Sequence, residues 1–229
     1  MSKRNFIFLQ ISLLLLILII FLVLFKLDLL PKVTRTAEDF SIKTVHSTVD
    51  FNQNGIDDYT DILIGAKADA ENRPTYDGSY WVGGYPPDDI GVCTDVVWRA
   101  FRQAGYSLRD MVDEDIINRP DAYDIDVRDC DIDFRRVRNL RVFFEEHAQV
   151  LTNDTAAIHQ WQPGDIVIFG SNNHIGIVSD IRNRRGQPYI IHNAGQPKRE
   201  EDYLPRAEVT GHYRFDAATV TDILIPWTE

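Results

Sequence analysis

An apolar run near the N-terminus constrains this 229-residue chain more than any other feature. Residues 6–25 are apolar apart from Gln10 and Ser12. Twenty helical residues rise about 30 Å, the thickness of the hydrocarbon core of a membrane. A cleaved signal peptide would have a shorter apolar region followed by a small-residue cleavage site, and no such site follows this run. The run therefore predicts a single transmembrane anchor.

The anchor divides the chain into unequal parts. Basic residues stand on both sides of the run, and the N-terminal amine adds one more positive charge before it. Because positive charge next to a membrane span favours the cytoplasmic side, we expect the N-terminus in the cytoplasm. We predict that residues 1–5 are cytoplasmic, that residues 26–49 form a linker, and that residues 50–229 form one extracytoplasmic domain. The protein is thus expected at the cell membrane, crossing it once.

Charge and cysteine content exclude other classes of function. The net charge is −11, whereas a protein that binds nucleic acid needs a basic face to neutralise phosphates. We therefore expect no nucleic-acid partner. The two cysteines do not make a disulfide framework.

The stretch at residues 91–101 reads as a loop that delivers Cys93 to the first turn of a helix. Asp95 falls in that first turn, where acidic residues suit the unpaired amides, and Gly105 is placed to end the helix. Because the positive end of the helix dipole favours a thiolate, we expect a lowered pKa for Cys93. Such a thiol is a candidate nucleophile, although an inert cysteine can occupy the same position.

The second half of the chain predicts antiparallel strands. Buried runs at residues 166–169, 174–180 and 189–193 are separated by turn residues. His174 opens one strand and His192 lies near the end of its hairpin partner, so the two imidazoles should be neighbours. Each histidine alone is more often structural. With a helix-terminal cysteine, the pair is typical of a general base and its orienting partner. Helices followed by such a sheet indicate an α+β domain.

The loop before Cys93 is rich in aromatic residues. Tyr80, Trp81 and Tyr85 could form the wall of a substrate cleft. Equally, they could pack the loop onto the core. The sequence leaves both interpretations open.

Residues 50–61 have the spacing of a calcium-binding loop. Oxygen-bearing side chains fall at positions 1, 3, 5, 9 and 12 of this stretch, and glycine falls at position 6. The candidate ligands are Asp50, Asn52, Asn54, the carbonyl of Ile56, Asp58 and Asp61. We predict a structural calcium ion and no catalytic cofactor. The alternative is an Asx-rich turn that caps a helix at residues 58–71.

At these residues the chain resembles the papain-like cysteine peptidases of the NlpC type, which cut bacterial cell-wall peptides. The resemblance rests on Cys93 at a helix start, a Pro-Gly-Asp turn at residues 163–165, the His-Ile-Gly-Ile-Val strand from His174, and His192. The resemblance implies that Cys93 is the nucleophile, His174 the general base and His192 the third polar residue. NlpC enzymes usually have Asp-Cys-Ser-Gly, whereas here Val-Cys-Thr-Asp stands in its place.

Two further resemblances refine this expectation. The Gly-Val-Cys-Thr sequence is similar to the cysteine motif of CHAP amidases, whose third residue is often Asn or Glu, which makes Asn193 a rival to His192. Asp95 is a possible supporting residue. Residues 91–214 also resemble an uncharacterised bacterial family known only as a domain of unknown function.

The resemblances imply a papain-like (NlpC-type) domain in which N-terminal helices pack on an antiparallel sheet, preceded by one transmembrane helix. They imply a cysteine peptidase or amidase that cleaves an amide bond of peptidoglycan. Acyl transfer or deamidation on the same fold is one alternative. The other is a non-catalytic, calcium-stabilised module that binds the cell wall.

Overall fold

The computed structural model describes the backbone of residues 3–26 and 34–228 and divides the chain into two units, Met1–Thr34 and Arg35–Glu229. The first unit contains helix α1 (Lys3–Lys26), into which the predicted anchor falls. Side chains of this helix are described for residues 10–23 only. Among the residues so described, none of the helices has the length and hydropathy needed to cross a membrane.

The second unit is α+β, as predicted. Its helices are α2 (Asp58–Asn72), α3 (Cys93–Gln103), α4 (Leu108–Asn118) and α5 (Val137–His147). Its strands are β1 (Thr75–Tyr76), β2 (Ile90–Gly91), β3 (Gln149–Val150), β4 (Ile166–Phe169), β5 (His174–Arg182), β6 (Pro188–Ile191), β7 (Glu200–Glu201) and β8 (Val209–Arg214). Strands β1 and β2 form a small parallel pair, and the others form an antiparallel sheet in the order β3-β8-β4-β5-β6-β7.

The folded unit begins earlier than the predicted linker boundary at residue 49. The Arg182 amide donates to the Arg35 carbonyl at 2.8 Å, which joins this segment to the end of β5. Ala37 and Ile42 are buried. Residues 35–49 are therefore part of the domain, and residues 27–33 of the predicted linker lie outside the described part of the chain.

Helix α3 ends as its sequence predicts. Gly105 has φ +89°, and the amide of Tyr106 donates back to the Phe101 carbonyl at 2.9 Å. Glycine adopts this left-handed conformation without steric cost, which stops the helix. Phe101 packs against Phe144 and Phe215, so the helix joins the core between the helices and the sheet.

Helices α2 and α3 approach each other closely at Gly65. A β-carbon at this position would lie 2.6 Å from the Gln103 β-carbon and 2.8 Å from the Ala100 α-carbon. The same two helices share a buried ion pair, in which Arg99 Nη1 lies 2.6 Å from Asp69 Oδ1. The close approach fixes the position of α3, whose first residue is Cys93.

We expect Gly65→Ala to destabilise the domain, because its methyl group would overlap the backbone of α3. Overpacking of this kind costs about 1–3 kcal/mol. A thermal melt followed by circular dichroism measures the loss. Gly78→Ala is the matched control, since a β-carbon there would meet only the Val92 side chain at an ordinary 3.6 Å. Equal melting temperatures for the two variants would contradict the proposed tight helix crossing.

Both faces of the sheet are covered. Ile166 and Ile168 of β4 belong to the core shared with the helices, whereas Val167 and Phe169 belong to a smaller cluster on the opposite face. This smaller cluster also contains Leu204, from the segment that follows β7. A strand with both faces buried explains the continuous apolar run of β4.

Candidate active site

Cys93 is the first residue of α3, and Asp95 fixes the start of that helix. The Val92 amide donates to Asp95 Oδ2 at 2.7 Å, and the Trp98 indole donates to Asp95 Oδ1 at 2.7 Å. Arg135, in the short helical turn before α5, contacts both carboxylate oxygens at 2.8 and 3.0 Å. Asp95 is thus a buried structural anchor for the turn that carries Cys93.

His174 and His192 are in contact across β5 and β6, as the hairpin geometry predicts. His174 Nε2 lies 2.9 Å from His192 Nδ1, and the two rings are nearly perpendicular at 87°. Gly176 makes this approach possible, because a β-carbon there would lie 2.7 Å from the Ile191 carbonyl oxygen and 3.2 Å from the His192 β-carbon.

The Cys93 sulfur lies against the start of β5. It accepts a hydrogen bond from the backbone amide of Ile175, the residue that follows His174. Among the described residues, no hydrogen bond joins the sulfur to either imidazole. Catalytic hydrogen bonds are often long in ligand-free enzymes and shorten when substrate binds. The structure therefore brings His174 and His192 together, and it places the Cys93 sulfur beside the backbone of the residue that follows His174.

Burial sets the protonation states of the three side chains. It raises the pKa of the Cys93 thiol to about 11, and the nearby Asp95 carboxylate contributes in the same direction. It lowers the pKa of His174 to about 4 and that of His192 to about 3. The predicted lowering of the thiol pKa is therefore wrong, because desolvation outweighs the helix dipole and the amide hydrogen bonds. At neutral pH the site contains a thiol and two neutral imidazoles.

Asn193 has a different role from His192 in this structure. Its side-chain amide is buried and donates to the Gly91 carbonyl at 2.9 Å and to the Pro74 carbonyl at 3.3 Å. Its Oδ1 accepts the Gly195 amide at 3.0 Å. Asn193 thus ties the end of the hairpin to the strand that leads into Cys93, and it is His192 that contacts His174.

The aromatic loop before Cys93 divides between core and surface. Tyr85 packs against Trp98 and Trp227 at centroid distances of 4.8 and 4.9 Å, so it belongs to the core rather than to a cleft wall. Tyr80 is exposed, and its hydroxyl group lies 3.3 Å from Asp129. Trp81 is half-buried in the same loop.

The segment after β6 contributes side chains that the sequence did not point to. The Tyr203 ring lies 4.3 Å from the His192 ring and 5.5 Å from the His174 ring. Gln196 Nε2 lies 3.2 Å from His192 Nδ1, and Glu201 Oε1 lies 3.3 Å from His192 Nε2. No periodic pattern marks this segment, and the short strand β7 is too brief to be recognised from its two glutamates.

The predicted calcium loop is stabilised by its own hydrogen bonds. The Asn52 and Asn54 amides contact Asp61 Oδ2 at 3.0 and 2.9 Å. Asp50 accepts the amides of Asn54 and Gly55, and Gly55 has the φ of +90° that the turn requires. This arrangement corresponds to the Asx-rich turn that the sequence left as the alternative.

Two residues of this stretch serve the helix that follows. Asp57 is the N-cap of α2 and accepts the Thr60 amide and hydroxyl. The Asp58 carboxylate accepts the Tyr106 hydroxyl at 2.6 Å and the Phe51 amide at 2.9 Å, so it is engaged in the core. The described residues contain no group of three or more His, Cys, Asp or Glu side chains able to hold a metal ion.

Calcium binding by this loop remains a prediction, with the ligands given above, namely Asp50, Asn52, Asn54, the Ile56 carbonyl, Asp58 and Asp61. Extracellular sites of this class bind at about 10⁻⁴ to 10⁻³ M, and tenfold excess over Kd stabilises by about 1.4 kcal/mol. We expect a chelator to lower the melting temperature by a few degrees, and Asp50→Ala to remove that difference. Identical melting curves with and without chelator would contradict calcium binding by this loop.

Comparison with known proteins gives the family of the chain. A model of the family described as "Domain of unknown function (DUF1287)" matches residues 63–215, a range that contains Cys93, His174, His192 and Glu201. The chain is 36% identical over 165 residues to "Uncharacterized protein YijF" of Escherichia coli strain K12, which covers 67% of this chain and 80% of that protein. No solved structure matches it significantly. The chain therefore belongs to the DUF1287 family.

Proposed function

We propose that the protein is a cysteine hydrolase that cleaves an amide bond. The observation that supports this proposal best is the placement of a helix-terminal cysteine against the start of β5, where His174 contacts His192. A buried pair of neutral histidines is suited to accept a proton from a thiol within reach, because one ring can take the proton while the other holds the first ring in the required tautomer.

The protonation states favour a mechanism that starts from a neutral thiol. His174 Nε2 is engaged by His192, which leaves His174 Nδ1 to accept the thiol proton. As the proton moves to Nδ1, the sulfur attacks the carbonyl carbon, and the backbone amide of Cys93 is the first candidate donor to the oxyanion. The C–N bond then breaks, and His174 returns the proton to the departing amine.

Hydrolysis of the resulting thioester completes the reaction. His174 takes a proton from water, whose oxygen attacks the thioester carbonyl, and the proton returns to the sulfur as the C–S bond breaks. No metal ion is needed in either half of the reaction. The role proposed for His174 is thus the same in both steps.

We further propose the papain-like arrangement of this domain and its cell-wall substrate. The order of elements supports the fold, since the helix that begins with the cysteine is followed by an antiparallel sheet in which the proposed base opens β5 and its partner directly follows β6. The substrate class, peptides of peptidoglycan, follows from the resemblance to NlpC-type enzymes. A membrane anchor at residues 6–25 and an extracytoplasmic domain would place the site beside that substrate.

Digestion of purified peptidoglycan by the full chain tests the proposal. We expect new peptide fragments with free amines and carboxylates in the mass spectrum, and none with Cys93→Ala. Release of ammonia alone would indicate deamidation, and transfer of the acyl group to an added amine would indicate acyl transfer. Sedimentation of the chain with the wall without any product would support the non-catalytic module instead.

The pH dependence of kcat/KM tests the neutral-thiol mechanism. His174 must be unprotonated to act as a base, and burial lowers its pKa from 6.5 to about 4. We therefore expect activity to be retained at pH 5 and to fall as the pH decreases through about 4, since kcat/KM reports groups of the free enzyme. A loss centred near pH 6.5 would mean that the base is solvated and that this account of the site is wrong.

A further inference from the structure

An acidic side chain lies at the far end of the histidine pair. Strand β7 pairs with β6 so that Glu201 is opposite Ile190, which lies two residues before His192 and on the same face of the sheet. Glu201 Oε1 is 3.3 Å from His192 Nε2, and its side chain is only 16% exposed. The other carboxylate oxygen contacts Arg206 Nη2 at 2.7 Å. Glu201 is thus held in place beside the imidazole.

We infer that Glu201 is a positioning residue of the proposed hydrolase, which acts through His192 by stabilising the positive charge that the histidine pair acquires with the thiol proton. This inference rests on the proposed function. Glu201 does not touch the thiol, and its effect on the reaction passes through the contact between His192 and His174.

The charges around His192 explain why a carboxylate is needed there. Besides burial, three groups lower the pKa of His192, namely His174 on β5, Arg206 after β7 and Arg199 before it. All three disfavour a proton on the pair. Glu201 faces the same ring from β7 with the opposite charge, and an opposite charge within about 4–6 Å favours the protonated imidazole.

The same contact selects a tautomer. A carboxylate beside His192 Nε2 favours the hydrogen on that nitrogen, which leaves Nδ1 as an acceptor. His192 Nδ1 can then accept the Nε2–H of His174, and the amide group of Gln196 lies 3.2 Å from the same nitrogen as a second donor. With its hydrogen on Nε2, His174 has an unprotonated Nδ1, the form that a base requires.

Glu201→Gln is the central test, because it removes the charge and keeps the size. We expect kcat/KM to fall about tenfold, because the histidine pair becomes a weaker base. The acid limb of the pH profile, where kcat/KM falls as the pH decreases, should move down by about 1 pH unit, because a weaker base is protonated only at lower pH. A purely structural role would lower activity or melting temperature without moving the limb. Glu208→Gln is the matched control, because Glu208 is exposed and its loss removes the same charge.

Arg206→Gln provides a test with the opposite sign. Arg206 is 52% exposed and lowers the pKa of His192, so its removal should leave the fold intact and move the acid limb up. Opposite shifts for Glu201→Gln and Arg206→Gln support the inference. Unchanged limbs in both variants overturn it, even where one of them loses stability.

Titration of the imidazoles by NMR separates this inference from the proposed function. In the full chain with ¹³C-labelled histidine, the His192 midpoint should fall by about 1 pH unit in Glu201→Gln, with no substrate present. An unchanged midpoint overturns the inference whether or not wall fragments are produced. If Glu201→Gln shifts the His192 midpoint but the wild-type chain yields no product from the wall, the charge coupling stands and the proposed hydrolase activity is overturned.

Discussion

Replacement of Cys93 by alanine is expected to abolish hydrolysis and to leave the fold intact. The other cysteine, Cys130, is exposed on a separate acidic loop, whereas Cys93 is buried. Loss of a nucleophile typically costs about 10⁴-fold or more in kcat, since the remaining groups only bind and polarise the substrate. The release of peptides from purified wall measures the loss, and circular dichroism checks the fold.

Cys130→Ala is the matched control, with the same substitution at the other cysteine. It should hydrolyse at the wild-type rate. An active Cys93→Ala, or an inactive and folded Cys130→Ala, would refute the assignment of the nucleophile. Alkylation at pH 6–7 is not a suitable substitute for this test, because the Cys93 thiol is 7% exposed and its pKa is raised. An electrophile that mimics the acyl group of the substrate should label Cys93 instead.

Replacement of His174 by alanine has the second largest expected effect. A general base typically contributes about 10²- to 10⁴-fold, so kcat should fall by that factor. His192→Ala should cost no more than His174→Ala, because water or Gln196, whose side-chain nitrogen lies 3.2 Å from His192 Nδ1, can partly replace an orienting group. Rates at saturating substrate measure both effects.

Asn193 provides the discriminating control for the histidines. Its amide holds the Gly91 and Pro74 carbonyls, so Asn193→Ala should lower the melting temperature and reduce activity less than His174→Ala does. If His192→Ala kept wild-type activity while Asn193→Ala lost activity without losing stability, Asn193 rather than His192 would be the third catalytic residue.

The parts of the fold that could be predicted are those whose residues repeat with the period of the element. Helix α3 shows helical spacing and ends at Gly105, and β4 is a continuous buried run, so both were recognisable from local pattern. The contact of His174 with His192 followed from hairpin geometry alone. The α+β class and the contact between the two histidines were therefore accessible from the sequence, whereas the catalytic role of Cys93, His174 and His192 stays a prediction.

The parts that could not be predicted depend on tertiary contacts. The segment at residues 35–49 joins the domain through a backbone pairing with Arg182, which has no side-chain signature. Glu201 reaches His192 from β7, a two-residue strand that has no recognisable sequence pattern. The pKa of Cys93 depends on how completely the residue is buried, whereas a helix N-terminus indicates only the sign of the dipole.

The raised pKa of the buried thiol also bears on how easily the proposed nucleophile is oxidised. Oxidants attack the thiolate, and their selectivity among cysteines follows thiolate character and exposure. Cys93 has neither at neutral pH, and it is unpaired in the structure. In the oxidising compartment that we propose, the nucleophile would thus resist sulfenic acid and mixed-disulfide formation until a substrate and His174 together draw off its proton. If the domain is extracytoplasmic as proposed, the burial of Cys93 would by itself protect the nucleophile from oxidation.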